Sequence, residues 1–271
     1  MSQDLSRRRF LASAAGVACL ALTDMPSVMA ASSLPTLSGV LSGNPVQMKI
    51  VNYAMYVQDR ARVDASRAEH QTYADMLREH DRLVMGGPLL DDDGRPSGVL
   101  LVYDVESKQQ AETLAQHDPF ALKGAIANYR LTEWTVLDSN IELLTASLVP
   151  ANRRAPPKLP RAPDATPVAP DEHTARLYVN YAKYVSDRSH VEQVMPAHQS
   201  YTQALKANGE LIMAGPFADG SGALFIYRAQ STDEAMALAL KDPYHVEGVF
   251  ETFALAQWRL FGLNAGLIQS V

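Results

Sequence analysis

Apolar side chains along this chain fall into two kinds of run, and the runs come in a fixed order that is met twice. Gln47–Val57 and Arg176–Val185 hold Val, Ile, Leu, Ala and Tyr in partial alternation, the period of a strand with one buried face. In Ala65–His80 and Met195–Asn208 the spacing widens: Tyr73, Met76 and Leu77, then Tyr201, Ala204 and Leu205, fall on one side of a helix. Two short apolar runs follow in each half, Leu83–Leu90 with Gly98–Val105 and Leu211–Phe217 with Gly222–Ala229, joined by Asp- and Gly-rich turns as in a hairpin. Ser107 to Gln110 and Ser231 to Glu234 spell capping boxes that open a second helix. An apolar-rich stretch ending near Trp134 or Trp258 predicts a closing strand, so each half reads β-α-β-β-α-β.

The two halves share letters as well as pattern. V-N-Y-A-M-Y-V-Q-D-R at 51–60 returns as V-N-Y-A-K-Y-V-S-D-R at 179–188, an offset of 128 residues. At that offset His70-Gln71 and Tyr73 meet His198-Gln199 and Tyr201, and Gly87-Pro88 meets Gly215-Pro216. A four-residue deletion then sets the offset to 124, which aligns Gly98, Tyr103, Ala111, Asp118-Pro119, Gly124 and Trp134 with Gly222, Tyr227, Ala235, Asp242-Pro243, Gly248 and Trp258. Each unit is long enough for its own core and too long for a solenoid repeat. The expected fold is α+β: two ferredoxin-like domains, 46–147 and 176–268, packed sheet to sheet as an intramolecular pseudo-dimer, which leaves further self-association open. Between them, Val149 to Pro170 holds seven of the sixteen prolines and few large apolar side chains, so 148–175 reads as an extended linker.

Residues 1–30 stand outside this pattern. S-R-R-R-F-L at 6–11 leads into the charge-free run Leu11–Leu22 and a small-residue exit around Ala30, which together read as a secretory signal of twin-arginine type. That run is far shorter than the roughly 20 apolar residues a membrane span needs, so no stable insertion is expected after processing. The expected destination is the periplasm or the exterior. The only cysteine, Cys19, leaves with the signal, so the mature chain forms no disulfide; a lipoprotein cleavage at Cys19 is the rival reading. The chain carries a charge of −6, and residues 1–30 carry +1, which makes the remainder more acidic still. An acidic surface argues against nucleic acid as a partner.

An ordered set of short motifs gives these halves a likeness. A first strand ending in Asp59, then Arg67-Ala68-Glu69-His70, Gly87-Pro88, Ser107 to Ala111 and Asp118-Pro119-Phe120 resemble the YCII-related family of small dimeric α+β-barrel proteins. The second half supplies Asp187, His198, Gly215-Pro216, Ser231 to Ala235 and Asp242-Pro243-Tyr244, with Met195 where the first has Arg67. The resemblance implies that His70 with Asp118, and His198 with Asp242, form an active-site dyad, and that the activity is of lyase or isomerase type on a small molecule. Elsewhere among dimeric α+β barrels lie oxidations with or without haem, but no second histidine repeats here.

Of seven histidines, only His70 and His198 occupy equivalent positions. A carboxylate that accepts from one ring nitrogen fixes the tautomer and leaves the other as a general base. Against this, Asp118 and Asp242 each precede proline, which is also the signature of a helix N-cap. Arg67 lies three residues before His70, on the same helix face, where it suits a carboxylate, a phenolate or a developing enolate, or else is simply solvated. Arg60 and Arg188 read as ion-pair or turn residues. Tyr73, Gly87 and Pro88, with Tyr201, Gly215 and Pro216, are the further candidates for lining a substrate site; tyrosines also serve as core, and Gly-Pro also marks strand ends. One His and one Asp per half fall short of a metal site, and no phosphate loop or nucleophile elbow is present, so no cofactor is expected. A non-catalytic ligand-binding or scaffolding module of the cell envelope is the competing function.

Overall fold

The computed structural model describes residues 49–140, 142–144, 175–187 and 189–268. The signal-like segment 1–30 with Cys19, residues 148–174 of the linker and Arg188 lie outside the described residues. The first repeat runs β1 (Lys49–Tyr56), α1 (Arg60–Glu79), β2 (Leu83–Leu90), β3 (Pro96–Asp104), α2 (Lys108–His117), the single turn α3 (Pro119–Leu122) and β4 (Ile126–Trp134), with a short β5 (Asp138–Ser139) beyond. The second runs β6 (Arg176–Tyr184), α4 (Val191–Ala207), β7 (Leu211–Pro216), β8 (Gly222–Ala229), α5 (Thr232–Lys241), α6 (Pro243–Val246) and β9 (Phe250–Trp258), with β10 (Gly262–Leu263) beyond.

Two helices begin earlier than apolar spacing predicts. α1 starts at Arg60 because the Asp59 carboxylate accepts the Arg62 N–H at 3.2 Å. Its first turn is polar, so no periodicity announces it, and the aspartate read as a strand end is a helix cap. α4 starts at Val191 and runs through Pro196, its sixth residue. The expected caps of α2 and α5 are present: Ser107 accepts from Gln110 N–H and Ser231 from Glu234 N–H, each at 3.2 Å.

Within each repeat four antiparallel strands lie side by side, in the orders β4-β1-β3-β2 and β9-β6-β8-β7. The two sheets join at both edges. β2 meets β9 where Leu89 faces Trp258, and the end of β4 meets the chain just past β7 where Trp134 faces Phe217, backed by an Ala218 N–H bond to the Glu133 carbonyl at 2.9 Å. Leu89 corresponds to Phe217 and Trp134 to Trp258, so the junctions are equivalent, as in an isologous dimer, and eight strands close on themselves. Closure removes exposed sheet edges. The barrel interior is a single apolar core drawn from both repeats, including Val51, Leu100, Trp134, Val179, Ile226 and Trp258. Separate cores under the helices pack α1 and α2 on the first sheet and α4 and α5 on the second. No helix among the described residues is long and apolar enough to cross a membrane.

Past its last strand, each repeat sends a strap across the other. Thr135 and Leu137 donate to the carbonyls of Pro216 and Ala214 at 3.0 and 2.9 Å; Arg259 and Phe261 donate to those of Pro88 and Gly86 at 3.0 and 2.9 Å. The straps explain the repeated Gly-Pro. A Cβ on Gly87 would stand 2.0 Å from the Arg259 carbonyl oxygen, and one on Gly215 would stand 1.8 Å from that of Thr135. Only glycine leaves room for a second backbone at that distance.

Candidate active site

The apolar face of α1 buries Val63, Ser66, His70, Tyr73, Ala74 and Leu77 against the sheet, so the helical spacing itself turns His70 inward. Asp118 sits at the sharp joint between α2 and α3, where it ends one helix and caps the next: its Oδ1 accepts the Phe120 N–H at 2.9 Å. The same carboxylate faces His70, with Nδ1 at 2.9 Å from Oδ1 and 2.8 Å from Oδ2. The two readings of Asp-Pro, cap and partner, are therefore both satisfied by one side chain. His70 is 8% exposed and Asp118 5%. Phe120 lies against the imidazole with ring centres 4.2 Å apart and planes 25° apart, which holds the ring's tilt. A carboxylate accepts and does not donate, so the hydrogen shared between the two groups sits on Nδ1, and Nε2 is the ring nitrogen not engaged by Asp118.

His70 opens onto a cleft of about 320 Å³. α1 lines it with Arg67, Gln71, Ala74, Asp75 and Arg78, and β2 and β3 supply a largely apolar floor that includes Gly87, Pro88 and Leu101. Arg67 pairs with Asp64 at 2.6 Å, but the Asp64 side chain is largely exposed, and such a pair holds a guanidinium only weakly. Tyr56 also lines the cleft; burial drives its hydroxyl far above the ordinary phenol range, Arg67 draws it down, and Asp118 pushes it up, so it stays a neutral donor. Phe261 completes the wall, and it comes from the strap of the second repeat.

Tyr73 is not part of this wall. Its ring belongs to the helix–sheet core, and its hydroxyl donates to the Leu114 carbonyl at 2.8 Å; Tyr201 repeats the bond to Leu238 at 2.8 Å, and burial raises its pKa to about 12. Both brace the helix face that carries the histidine, because no donor is left for a ligand. Gly215 and Pro216 stand at the equivalent strap crossing, where the Thr135 backbone accounts for the glycine. Arg60 bonds the Pro96 carbonyl and Asp91, in keeping with a turn role.

The second repeat rebuilds the dyad with different surroundings. His198 Nδ1 lies 2.7 Å from Asp242 Oδ1, which also accepts the Tyr244 N–H at 2.9 Å, and the imidazole stacks on Tyr244 at 3.9 Å. The exposed Met195 replaces Arg67, and the Phe225 ring stands 6.0 Å from His198 where the first repeat has Leu101. Lys206, the counterpart of Arg78, is bound by strap residue Asp138 at 3.3 Å. Sequence reasoning passed over Arg78 and Phe261. Arg78 lies three turns from Arg67 on one face, which helical spacing alone would have shown. Phe261 arrives from the other repeat, and nothing within a single repeat points to it.

No group of three His, Cys, Asp or Glu side chains suited to a metal ion occurs among the described residues. A model of the YCII-related domain matches residues 48–135 and again 176–259. A curated Bacillus subtilis (strain 168) protein, YjpA, is 29% identical over 69 residues, 26% of this chain and 80% of its own. The chain is also similar to the 5-chloro-2-hydroxyhydroquinone dehydrochlorinase of Burkholderia phenoliruptrix AC1100, at 25% identity over 32% of this chain and 94% of that one, with a TM-score of 0.29. A chlorite dismutase from Candidatus Nitrospira defluvii is 10% identical over 83% of this chain and 95% of its own, with a TM-score of 0.48. Matched twice by one family model across most of its length, the chain belongs to the YCII-related domain family and carries that domain in tandem.

Proposed function

We propose that this protein is an exported, cofactor-independent enzyme of lyase or isomerase type that removes a proton from carbon in a small anionic molecule. The supporting observation is the buried His70–Asp118 pair, 2.8 Å apart at the closest approach and opening on a cleft that also holds Arg67. In this reading Nε2 of His70 takes a proton from carbon next to a carbonyl, and the electron pair moves into an enolate. Asp118 holds the tautomer and steadies the imidazolium that results. Arg67 and the neutral Tyr56 hydroxyl meet the enolate oxygen. Where the substrate carries a double bond conjugated with the enolate, the imidazolium then returns the proton to the far carbon of that dienolate and the double bond shifts; otherwise the electron pair expels a leaving group from the next carbon. The test is proton exchange in heavy water with a panel of small carboxylated ketones: His70→Gln should stop deuterium uptake at the acidic carbon, and uptake unchanged in that variant would refute the assignment.

A non-catalytic binding module is the second reading, favoured by the fact that Asp118 and Asp242 cap helices in both repeats. It is selected if no panel member exchanges yet several bind. We propose further that residues 1–30 direct a folded precursor through the twin-arginine route. Replacing Arg7 and Arg8 with lysine should leave precursor in the cytoplasm, and normal accumulation outside it would refute the route.

A further inference from the structure

We propose that the end of the first cleft remote from His70 is a recognition subsite for an aryl carboxylate, built jointly by Arg78 of the first repeat and the Phe261–Gly262 strap of the second. The proposal rests on the cleft being the ligand site and adds the part of the ligand that is recognised. The guanidinium of Arg78 lies against Gly262: a Cβ there would stand 2.4 Å from Nη1 and 2.6 Å from Cζ. The missing side chain is thus what seats the arginine. In the second repeat the equivalent strap position is Asp138, and its carboxylate binds Lys206 at 3.3 Å. One repeat neutralises this cation with its strap; the other leaves the strap bare. Asp75 does pair with Arg78 and also lines the cleft, but its side chain is 63% exposed while that of Arg78 is 24%, so the pair is weak and the guanidinium is partly desolvated.

Phe261 supplies the second half of the subsite. It lines the cleft while 49% exposed, an unusual position for a phenylalanine whose backbone is fixed by its bond to Gly86 at 2.9 Å. An aromatic ring laid on it covers that face, and a carboxylate on the ring reaches Arg78. Arg78 follows His70 by eight residues, roughly 12 Å along the helix. The ligand is therefore elongated, with its carboxylate well removed from the carbon that His70 addresses.

Calorimetric titration of the full chain with phenylacetate, and with neutral phenylacetamide, tests this without requiring turnover. Phenylacetate should bind wild type, and should bind Arg78→Gln about tenfold or more weakly and Phe261→Ala several-fold more weakly, with phenylacetamide weak throughout. Arg78 and Phe261 are partly exposed, and an unchanged thermal midpoint will show that both variants fold. Equal affinity of wild type and Arg78→Gln, equal affinity for acid and amide, or no binding by wild type overturns the subsite. Because the readout is binding, failure of proton exchange sinks the enzyme reading alone, and failure here sinks the subsite alone.

Discussion

The indole N–H of Trp258, in the second repeat, donates to the carbonyl of Gly87, in the first, at 3.0 Å, and Trp134 returns the bond to Gly215 at 3.0 Å. These reciprocal bonds lie where each strap leaves its own sheet and crosses the other. They tie the walls of each cleft to the integrity of the partner repeat, since Phe261 is positioned three residues past Trp258.

Trp258→Phe should leave the buried Gly87 carbonyl without this donor, at a cost of about 1–3 kcal/mol, and the smaller ring should add a cavity cost at this buried position. Gly87→Ala should cost more, because a Cβ would stand 2.0 Å from the Arg259 carbonyl oxygen and the strap must move away. Denaturant unfolding of the two variants checks this. A loss under about 0.5 kcal/mol in both would mean that the straps are peripheral.

Asp118 has two duties that one substitution separates. Asparagine caps helices about as well as aspartate, so Asp118→Asn should change stability little while lowering turnover about a hundredfold or more through loss of the charge that steadies the imidazolium. Asp118→Ala should lose about 1 kcal/mol as well, because the Phe120 N–H also loses its acceptor. Full activity in a stable Asp118→Asn protein would reduce the aspartate to a cap.

His245 gives stability a pH dependence. Burial holds its pKa below the ordinary histidine value of 6.5, and nearby Asp242 offsets this only in part. The folded state then binds fewer protons than the unfolded chain as pH falls, so this contribution is complete above pH 6.5 and is lost as pH drops through the folded pKa. Thermal midpoints should fall less steeply between about pH 7.5 and about pH 5 in His245→Gln than in wild type. Parallel slopes in the two proteins would show that this imidazole is not the sensor.

Much of this architecture was legible because the apolar runs that predict strands are also the runs that bury both faces. Leu83–Leu90 and Gly222–Ala229 are buried throughout or nearly so, and the structure gives them those bounds. The polar first turn of α1 was not legible, because only the Asp59 cap marks it. The straps were invisible for a deeper reason. Thr135 and Arg259 follow their strands as ordinary polar residues, and what they touch depends on how the two repeats close, which no local pattern encodes. Gly87 and Gly215 carried the only trace, read as ligand approach or strand end when they record the approach of a neighbouring backbone. The same blindness hid Phe261 and obscured the difference between the clefts: Arg67 against Met195 stood out within one motif, whereas Gly262 against Asp138 gains meaning only once the straps are seen to cross the opposite repeat.

The most direct measurement compares the two dyads within one molecule. Wild type, His70→Ala and His198→Ala are incubated in heavy water with a carboxylated ketone that wild type exchanges, and deuterium uptake is followed by proton NMR. With Arg67 and Arg78 in the first cleft only, His70→Ala should lose exchange and His198→Ala should keep most of it, since removing a charge-assisted hydrogen bond costs about 1.5–3 kcal/mol, or roughly ten- to a hundredfold in rate. Equal losses in the two variants, or the greater loss in His198→Ala, would contradict a working site confined to the first repeat.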